Sequence, residues 1–263
     1  MSALADIRPA LATLVAAPTP TSLTTVTIPP AVRVLVLGPH PDDFDAIGVT
    51  LRRLQRNGNP LHAAVLRTGS GVEDGYCTPP TLARKAAIRE QEQRRSLRFF
   101  GLPDTAVTFL DLAEDEASHP LDTPANTALL EAVWTAFRPD LVCLPHGRDS
   151  NLGHQRVYAM YRRLAARDNR PLAAWLIRDP KTMALHTHLY TPFDAEEARW
   201  KGELLRFHDT QHQRNLRTRG HGFDERILQT NRAIARELGL AAPCAEAFEI
   251  ELFPPSPAGR GTG

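Results

Sequence analysis

The sequence lacks the features of disulfide-bonded, membrane-spanning and nucleic-acid-binding proteins. Its 263 residues include three cysteines and no C-x-x-C pair, so neither a disulfide framework nor a thiolate metal site is expected, and a cytoplasmic location is predicted. No apolar run reaches the ~18 residues that a membrane span needs. Lysine and arginine number 31 against 30 aspartate and glutamate residues, a balance that argues against nucleic acid or a membrane surface as partner.

Aliphatic runs alternate with helical patterns from residue 33 onward. Residues 33–38 (RVLVLG) form a continuous aliphatic run, typical of a strand buried on both faces. Four or five strand–helix units follow up to residue 179, which predicts an α/β fold with a Rossmann-like, mostly parallel sheet and helices on both faces. Beyond it the patterns predict a strand, two helices and a last strand, over 184–192, 196–211, 225–240 and 244–253.

Composition divides the chain into three parts. Residues 1–30 predict a short surface helix and a Pro/Thr-rich extended arm on the surface, and residues 31–253 predict a single domain. The last ten residues, 254–263, are too poor in apolar side chains to pack and are expected to be disordered.

Ionisable side chains follow the first buried strand directly. His40, Asp42 and Asp43 come just after Gly38, in the stretch GPHPDD. Ligands of open parallel sheets bind outside the carboxyl ends of the strands, so this stretch is a candidate site. A dinucleotide-binding enzyme would carry G-x-G-x-x-G at this position, which the chain does not have. Two carboxylates would also repel a pyrophosphate, so hydride transfer is not expected.

The residue types at this strand end suit a divalent metal. Imidazole nitrogen and carboxylate oxygen are good zinc ligands, and a hydrolytic zinc site leaves one position to water, whose pKa the metal lowers toward ~7. We expect His40 and Asp43 to face one metal ion and Asp42 to accept the proton of the attacking water. The simpler alternative is a helix N-cap, but one aspartate would be enough for that.

A third ligand is expected from another strand end. His146 and His154 follow the predicted strand over residues 140–147, and His154, at a helix start, is well placed to point into the same crevice. His186 and His188 would lie on one face of a strand and form a rival ligand pair. We rank that pair lower because nothing in the sequence ties its segment to the first strand.

These motifs closely resemble the LmbE/PIG-L family of zinc-dependent N-acetylglucosamine deacetylases. The hallmark of that family is H-P-D-D after the first strand of a Rossmann-like fold, with a later D-x-H-x-D-H. The similarity covers roughly residues 32–253 in the right order, and an ordered set of motifs is a specific signal. The further motifs are LRTGSG (66–71), AIREQEQRRSLRFFGL (87–102), FLDL (109–112), LLRFHDTQ (204–211) and CAEAFEIELF (244–253).

The resemblance implies a metal site and a general base. His40, Asp43 and His154 would hold the zinc, and Asp42 would be the base. In the same way Arg89 would help to bind the substrate.

Three other motif residues are each open to two roles. Asp111 and Glu92 belong to motifs that line or brace the pocket, although salt bridges below the site would explain them equally well. His208 would be either packing or pocket wall.

The second motif departs from the family pattern. In DSNLGH, Asn151 replaces the first histidine and Gly153 the second aspartate. That histidine is thought to assist the oxyanion or the leaving group in the family. Asn151 can donate a hydrogen bond to an oxyanion, but it cannot hand a proton to a departing amine. His146 is the alternative source of that proton, and Asp42 is the one we favour.

The implied reaction is hydrolysis of an N-acetyl group on a 2-acetamido sugar or sugar conjugate, which releases acetate and a free amine. An amidase acting on a different acyl-amine, such as a natural-product or thiol-conjugate intermediate, is one alternative. A metal-retaining ligand-binding protein of low activity is another, although the intact Asp42 argues against it. The expected partner is a small molecule, and a homo-oligomer is left open.

An arginine-rich segment, residues 213–232, has two interpretations. Its arginines would recognise a phosphate or carboxylate of the substrate, or they would form a solvated helix face balanced by Asp224 and Glu225. We favour the solvated face.

Overall fold

A computed structural model describes residues 3–253, so the predicted disordered tail lies outside the described residues. Within this range the chain forms one eight-stranded sheet, in the order β1-β7-β8-β6-β5-β2-β3-β4. The strands are β1 (Thr21–Ser22), β2 (Val34–Gly38), β3 (Leu61–Leu66), β4 (Val107–Leu110), β5 (Leu141–Pro145), β6 (Leu172–Ile177), β7 (Leu189–Phe193) and β8 (Cys244–Phe253). Strand β8 is antiparallel to both neighbours, and all other pairs are parallel, which confirms the predicted mostly parallel sheet.

Nine α-helices accompany the sheet within the described range. They are α1 (Ala3–Ala16), α2 (Asp43–Ala46), α3 (Gly48–Arg56), α4 (Leu82–Phe100), α5 (Pro124–Phe137), α6 (Leu152–Arg167), α7 (Ala195–Arg206), α8 (Asp209–Arg219) and α9 (Phe223–Glu237). None of these helices is long and apolar enough to cross a membrane.

Strand β2 separates two hydrophobic cores, because successive side chains of a strand point to opposite faces. Val34 and Val36 pack into a core with residues of α1, α3, α4 and α7. Leu35 and Leu37 pack into a second core with α5 and α6. The continuous aliphatic run of β2 is therefore explained by burial on both faces, and the prediction of helices on both faces is confirmed.

The sheet changes direction of winding next to β2. The chain continues from β2 to β3 on one side, whereas the other neighbour of β2 is β5, with Val34 paired to Leu141 and Val36 to Cys143. The loops that follow β2 and β5 therefore leave the same edge of the sheet side by side. In open α/β sheets such a switch point is where ligands bind.

The N-terminal segment differs from the expected surface helix and arm. Helix α1 buries Leu4 and Leu11, and the arm buries Leu23 and Ile28. Strand β1 also pairs in parallel with β7. The segment therefore packs as a layer over one face and edge of the sheet, because its apolar side chains are part of the hydrophobic core.

Two predicted elements after residue 180 have different bounds. The strand expected over 184–192 begins only at Leu189, so His186 and His188 precede it. The helix expected over 196–211 is two helices, interrupted at Phe207 and His208. His208 leaves the helical conformation with ψ at 62°, and its ring contacts the Asp45 carboxylate.

Candidate active site and metal centre

A tight turn after β2 brings His40 and Asp43 to one side. The His40 carbonyl accepts hydrogen bonds from the N–H groups of Asp42 (2.9 Å) and Asp43 (3.3 Å), while the His40 N–H donates to Asp43 Oδ2 (2.7 Å). A Cβ at Gly38 would lie 3.1 Å from the His40 carbonyl oxygen, so this close return of the backbone favours glycine. The carboxylate of Asp43 thus closes the turn and also faces the imidazole.

The start of helix α6 positions His154. Asn151 is the N-cap residue, and its Oδ1 accepts a hydrogen bond from the Gly153 N–H at 2.8 Å. Asp149 Oδ1 in turn accepts from the Asn151 N–H at 2.6 Å. His154 lies in the first turn of the helix, where side chains lean toward the N-terminus. Its ring therefore points to the switch point beside β2.

Three potential metal ligands converge there. His40 Nδ1 lies 3.2 Å from His154 Nε2 and 3.6 Å from Asp43 Oδ2, and His154 Nε2 lies 3.8 Å from Asp43 Oδ1. In a tetrahedral zinc site with bonds of ~2.0–2.1 Å, neighbouring ligand atoms are about 3.3–3.4 Å apart. Two imidazole nitrogens that face each other at 3.2 Å also require a proton or a cation between them. The donor set fits a divalent cation.

Asp149 holds the other side of the His154 ring. Its Oδ2 lies 3.0 Å from His154 Nδ1, whereas Asp179 Oδ2 lies at 3.9 Å. Asp149 is therefore the closer of the two ion-pair partners of this ring nitrogen. His154 Nδ1–H therefore faces Asp149, and this leaves Nε2 as the ligand atom. His154, Asp149 and Asp179 also form a second group of close ligand atoms, which uses the opposite ring nitrogen.

The environment favours the deprotonated state that a metal ligand needs at His40 and Asp43, and the protonated state at His154. Burial lowers the pKa of His40, against the raising effect of Asp43. Burial alone would raise the pKa of Asp43, but the hydrogen bond and charges of His40 and His154 hold it at about 2. Burial would likewise lower the pKa of His154, but Asp149 and the other nearby carboxylates raise it. The pKa of Asp179 is raised by burial to about 6.

A cavity of about 190 Å³ opens beside this cluster, and Asp42, Arg89 and Asn151 line it. Asp42 Oδ2 accepts a 2.9 Å hydrogen bond from Arg89 Nη2, and Arg89 Nη1 donates to the Ser70 carbonyl at 2.9 Å. Arg89 is 2% exposed, so it acts as a rigid support. Asp42 is thereby held at the cavity wall next to the potential metal ligands.

Two residues expected to bind substrate do not line the cavity. Asp111 follows β4, the outermost strand, and its 78% exposed side chain lies 3.7 Å from Arg67. His208 is fully buried beside Asp45, behind the turn that carries the ligands. Both positions fit support rather than substrate contact. Glu92 also has a supporting role, because its carboxylate accepts hydrogen bonds from the N–H and the hydroxyl of Thr210 in α8, at 2.7 and 2.8 Å.

The other three histidines considered as ligands or proton donors point away from the cluster. His146 Nδ1 accepts a hydrogen bond from the Arg148 N–H at 2.7 Å, and its Nε2 lies 3.3 Å from Glu249 Oε2. It does not line the cavity, which does not suit a proton donor to a substrate. His188 Nδ1 accepts from the Ile250 N–H at 2.9 Å, and the His186 ring packs against it. The rival pair therefore lies outside the cluster formed by His40, Asp43 and His154.

The sequence reasoning missed several residues that line or support the site. Asp179 follows the carboxyl end of β6, so the rule that identified His40 could have found it. Lys181 comes two residues later. Asp149 stands in the second motif, but its contact with His154 depends on the fold of the loop. Three arginines of the segment 213–232 also line the cavity, namely Arg214, Arg219 and Arg226.

Comparisons with known proteins identify a family match and a shared fold. Residues 35–165 match the family model described as PIG-L, GlcNAc-PI de-N-acetylase. No curated protein matches the chain. Among solved structures, N,N'-diacetylchitobiose deacetylase from Pyrococcus horikoshii is 17% identical, with a TM-score of 0.68 and 84% of each chain covered.

Two further solved structures have the same fold. A deacetylase of the teicoplanin biosynthesis pathway is 14% identical, with a TM-score of 0.60 over 84% of this chain and 98% of that one. The 4-carboxy-2-hydroxymuconate hydratase from Pseudomonas putida is 17% identical, with a TM-score of 0.61 over 83% of this chain and 95% of that one. At these identities the likeness shows the fold, which hosts more than one reaction.

Proposed function

Because the chain belongs to the PIG-L family of de-N-acetylases through residues 35–165, we propose that it is a zinc-dependent hydrolase of N-acetyl groups. Its substrate would be a 2-acetamido sugar or sugar conjugate, and its products acetate and a free amine. The observation that carries this proposal is the convergence of His40, Asp43 and His154 beside Asp42 in one cavity.

His40 Nδ1, the Asp43 carboxylate and His154 Nε2 would hold the metal, supported from behind by Asp149. A bound zinc ion would supply Lewis acidity toward the amide carbonyl and toward water. The first task of the protein is to keep these donors convergent, which the turn after β2 and the cap of α6 do.

Asp42 would carry the proton through the reaction. As water attacks the acetyl carbonyl carbon, Asp42 accepts one proton from it. As the carbon–nitrogen bond breaks, Asp42 returns that proton to the nitrogen, so the products are the amine and acetic acid, which loses its own proton to become acetate. The ion pair with Arg89 fixes one carboxylate oxygen and sets the direction of the group.

Asn151 would stabilise the developing oxyanion. Its Oδ1 is occupied as the helix cap by the Gly153 N–H, so the group that remains for a ligand is the donor Nδ2–H₂. One such donor is worth about 3 kcal/mol of transition-state stabilisation in other enzymes. The amide does not titrate, which is why the proton transfer is assigned to Asp42 alone.

The second candidate is a metal-retaining ligand-binding protein of low activity. The observation that favours it is the pair Asn151 and Gly153, which puts two non-titrating residues into the helix start that carries His154. The two candidates differ in whether acetate is released.

A screen of acetamido sugars and their conjugates tests the proposal. Zinc-loaded protein should release acetate and free amine in equal amounts from one class of these compounds. Asp42→Asn should keep its zinc, by elemental analysis, and lose roughly a hundredfold or more in kcat. Loss of zinc in this variant would instead make Asp42 a ligand. Tight binding of an acetamido compound without any acetate release would favour the second candidate.

A further inference from the structure

Cationic side chains outnumber carboxylates around the candidate active-site cavity. Five cationic side chains line it, against the three carboxylates of Asp42, Asp43 and Asp179. Arg89 is bound to Asp42, and the other four cations are Lys181, Arg214, Arg219 and Arg226. A divalent metal would increase the positive excess further. A neutral acetamido sugar would leave that excess uncompensated, whereas an anionic ligand would offset it.

Two other arginines of the same two helices are paired, in contrast to those that line the cavity. Arg217 of α8 contacts Glu73, and Arg232 of α9 lies 2.6 Å from Glu225 Oε1. Within residues 3–253, no carboxylate lies within salt-bridge distance of Arg214, Arg219 or Arg226. The interpretation as a balanced, solvated face therefore fits Arg217 and Arg232. Arg214 and Arg219, which are exposed, and the half-buried Arg226 line the cavity without such a balance.

The local structure positions these arginines around one space. Arg226 is half-buried in the first turn of α9, and burial together with the charge of Arg219 lowers its pKa. A Cβ at Gly71 would lie 2.6 Å from an Nη1 of Arg214, and Gly71 has a φ of 78°. The loop after β3 therefore leaves room for the guanidinium of Arg214. These groups line the same cavity as the potential metal ligands.

We propose that Arg214, Arg219 and Arg226 form an anion-binding subsite for a phosphate or carboxylate group that the substrate carries in addition to its acetamide. Guanidinium groups bind such planar or tetrahedral anions through paired N–H donors. The identity of the whole substrate rests on the proposed deacetylase function, but anion binding by these arginines does not.

Calorimetric titration with inorganic phosphate tests the subsite without any turnover. The full-length protein is titrated with and without a chelator, so that phosphate held by a metal is separated from phosphate held by arginine. The test variant is the double substitution Arg219→Gln and Arg226→Gln. The charge-matched control is Arg217→Gln with Arg232→Gln, which removes two paired arginines from the same helices.

The parent and the control should bind phosphate in the presence of chelator, and added salt should weaken the binding. The test variant should bind at least about tenfold more weakly, since two charge-assisted contacts are lost. Circular dichroism and thermal unfolding check that both double variants fold. Equal binding by the parent and the test variant, or no binding by the parent, would overturn the subsite.

A substrate comparison then tests the link to turnover. Three substrates are compared: the neutral N-acetylglucosamine, its 6-phosphate, which carries a phosphate group, and N-acetylmuramic acid, which carries a carboxylate group. The ratio of kcat/KM for an anionic to the neutral compound should be roughly tenfold or more in the parent and should fall toward one in the test variant. A ratio that the substitutions leave unchanged contradicts the subsite while the deacetylase function stands. Absence of acetate from all three compounds counts against the proposed function, and the phosphate titration still decides on the subsite.

Discussion

Replacing Asp149 by asparagine tests whether this carboxylate orients His154 for a metal. Asp149 is fully buried, and each of its two oxygens faces one donor: Oδ1 faces the Asn151 N–H at 2.6 Å and Oδ2 faces His154 Nδ1 at 3.0 Å. Asparagine has the same shape but only one oxygen. Its NH₂ group must therefore face one of these two donors, and that donor is left without an acceptor.

The magnitude follows from this geometry. A buried donor without an acceptor costs about 1–3 kcal/mol. Loss of the partner behind a ligating histidine lowers metal affinity by about 10–100-fold in other proteins, which is about 1.4–2.8 kcal/mol. We expect the upper part of this range for zinc binding at pH 7.5, because the side chain is enclosed and cannot turn to serve both donors.

The pH dependence gives the test a second readout. Asp149 contributes to the raised pKa of His154, so Asp149→Asn should lower that pKa. Protons then compete less strongly with zinc in the variant, and the gap in affinity between parent and variant should narrow from pH 8 to pH 5.5. Asp179→Asn is the comparison variant, because Asp179 lies at 3.9 Å and its pKa is about 6. Asp179→Asn should lower the zinc affinity less than Asp149→Asn does.

Competition with a chromophoric zinc chelator measures both affinities across this pH range, and thermal unfolding of the metal-free proteins checks the fold. A parent-like zinc affinity in Asp149→Asn at pH 7.5 would refute the orienting role. A gap in affinity that widens on acidification would refute the assigned coupling between Asp149 and His154.

Three further predictions follow from the same structure. Asn151→Ala should lower kcat moderately and leave the shape of the pH–rate profile unchanged, whereas Asn151→His should add or move a limb at higher pH, where the new imidazole loses its proton; parent-like activity of the alanine variant would remove Asn151 from catalysis. Apparent zinc affinity of the parent should fall about tenfold per pH unit below the raised pKa of His154, because the protonated ring cannot ligate; calorimetry from pH 8 to pH 5 measures this, and a flat profile contradicts it. Lys201 Nζ lies 2.7 Å from the buried Glu246 carboxylate, so Lys201→Met leaves that carboxylate without its cation and should lower the free energy of unfolding by about 3–5 kcal/mol in urea denaturation. Adding Glu246→Gln should recover part of the loss, and full stability of the single variant would contradict the account.

The central part of the site could be predicted because two local signals coincide there. A strand buried on both faces requires a continuous aliphatic run, so polar residues directly after Gly38 mark its carboxyl end. The switch point then places the loop after β5 beside it, which is how His154 meets His40 and Asp43. The first inference depends on strand periodicity, which a short stretch of sequence contains. The second depends on the general winding rules of parallel sheets.

The remaining placements depend on tertiary contacts that no local pattern contains. His208 interrupts a helical pattern because its ring is drawn to Asp45, a residue far away in sequence. Asp111 ends the outermost strand, and its position in the strand order decides that it meets solvent. Arg219 and Arg232 belong to the same arginine-rich segment, yet only Arg219 of the two lines the cavity. Which side of a polar helix faces a cavity is set by the neighbouring helices, not by its own composition.

The central claim is that His40, Asp43 and His154 hold one divalent metal ion. Elemental analysis of the parent, His154→Ala and His146→Ala after dialysis against dilute zinc tests it most directly, since His146 is a buried histidine outside the cavity. The parent and His146→Ala should each retain about one zinc per chain, and His154→Ala should retain almost none. Full zinc content in His154→Ala, or no zinc in the parent, would contradict the account.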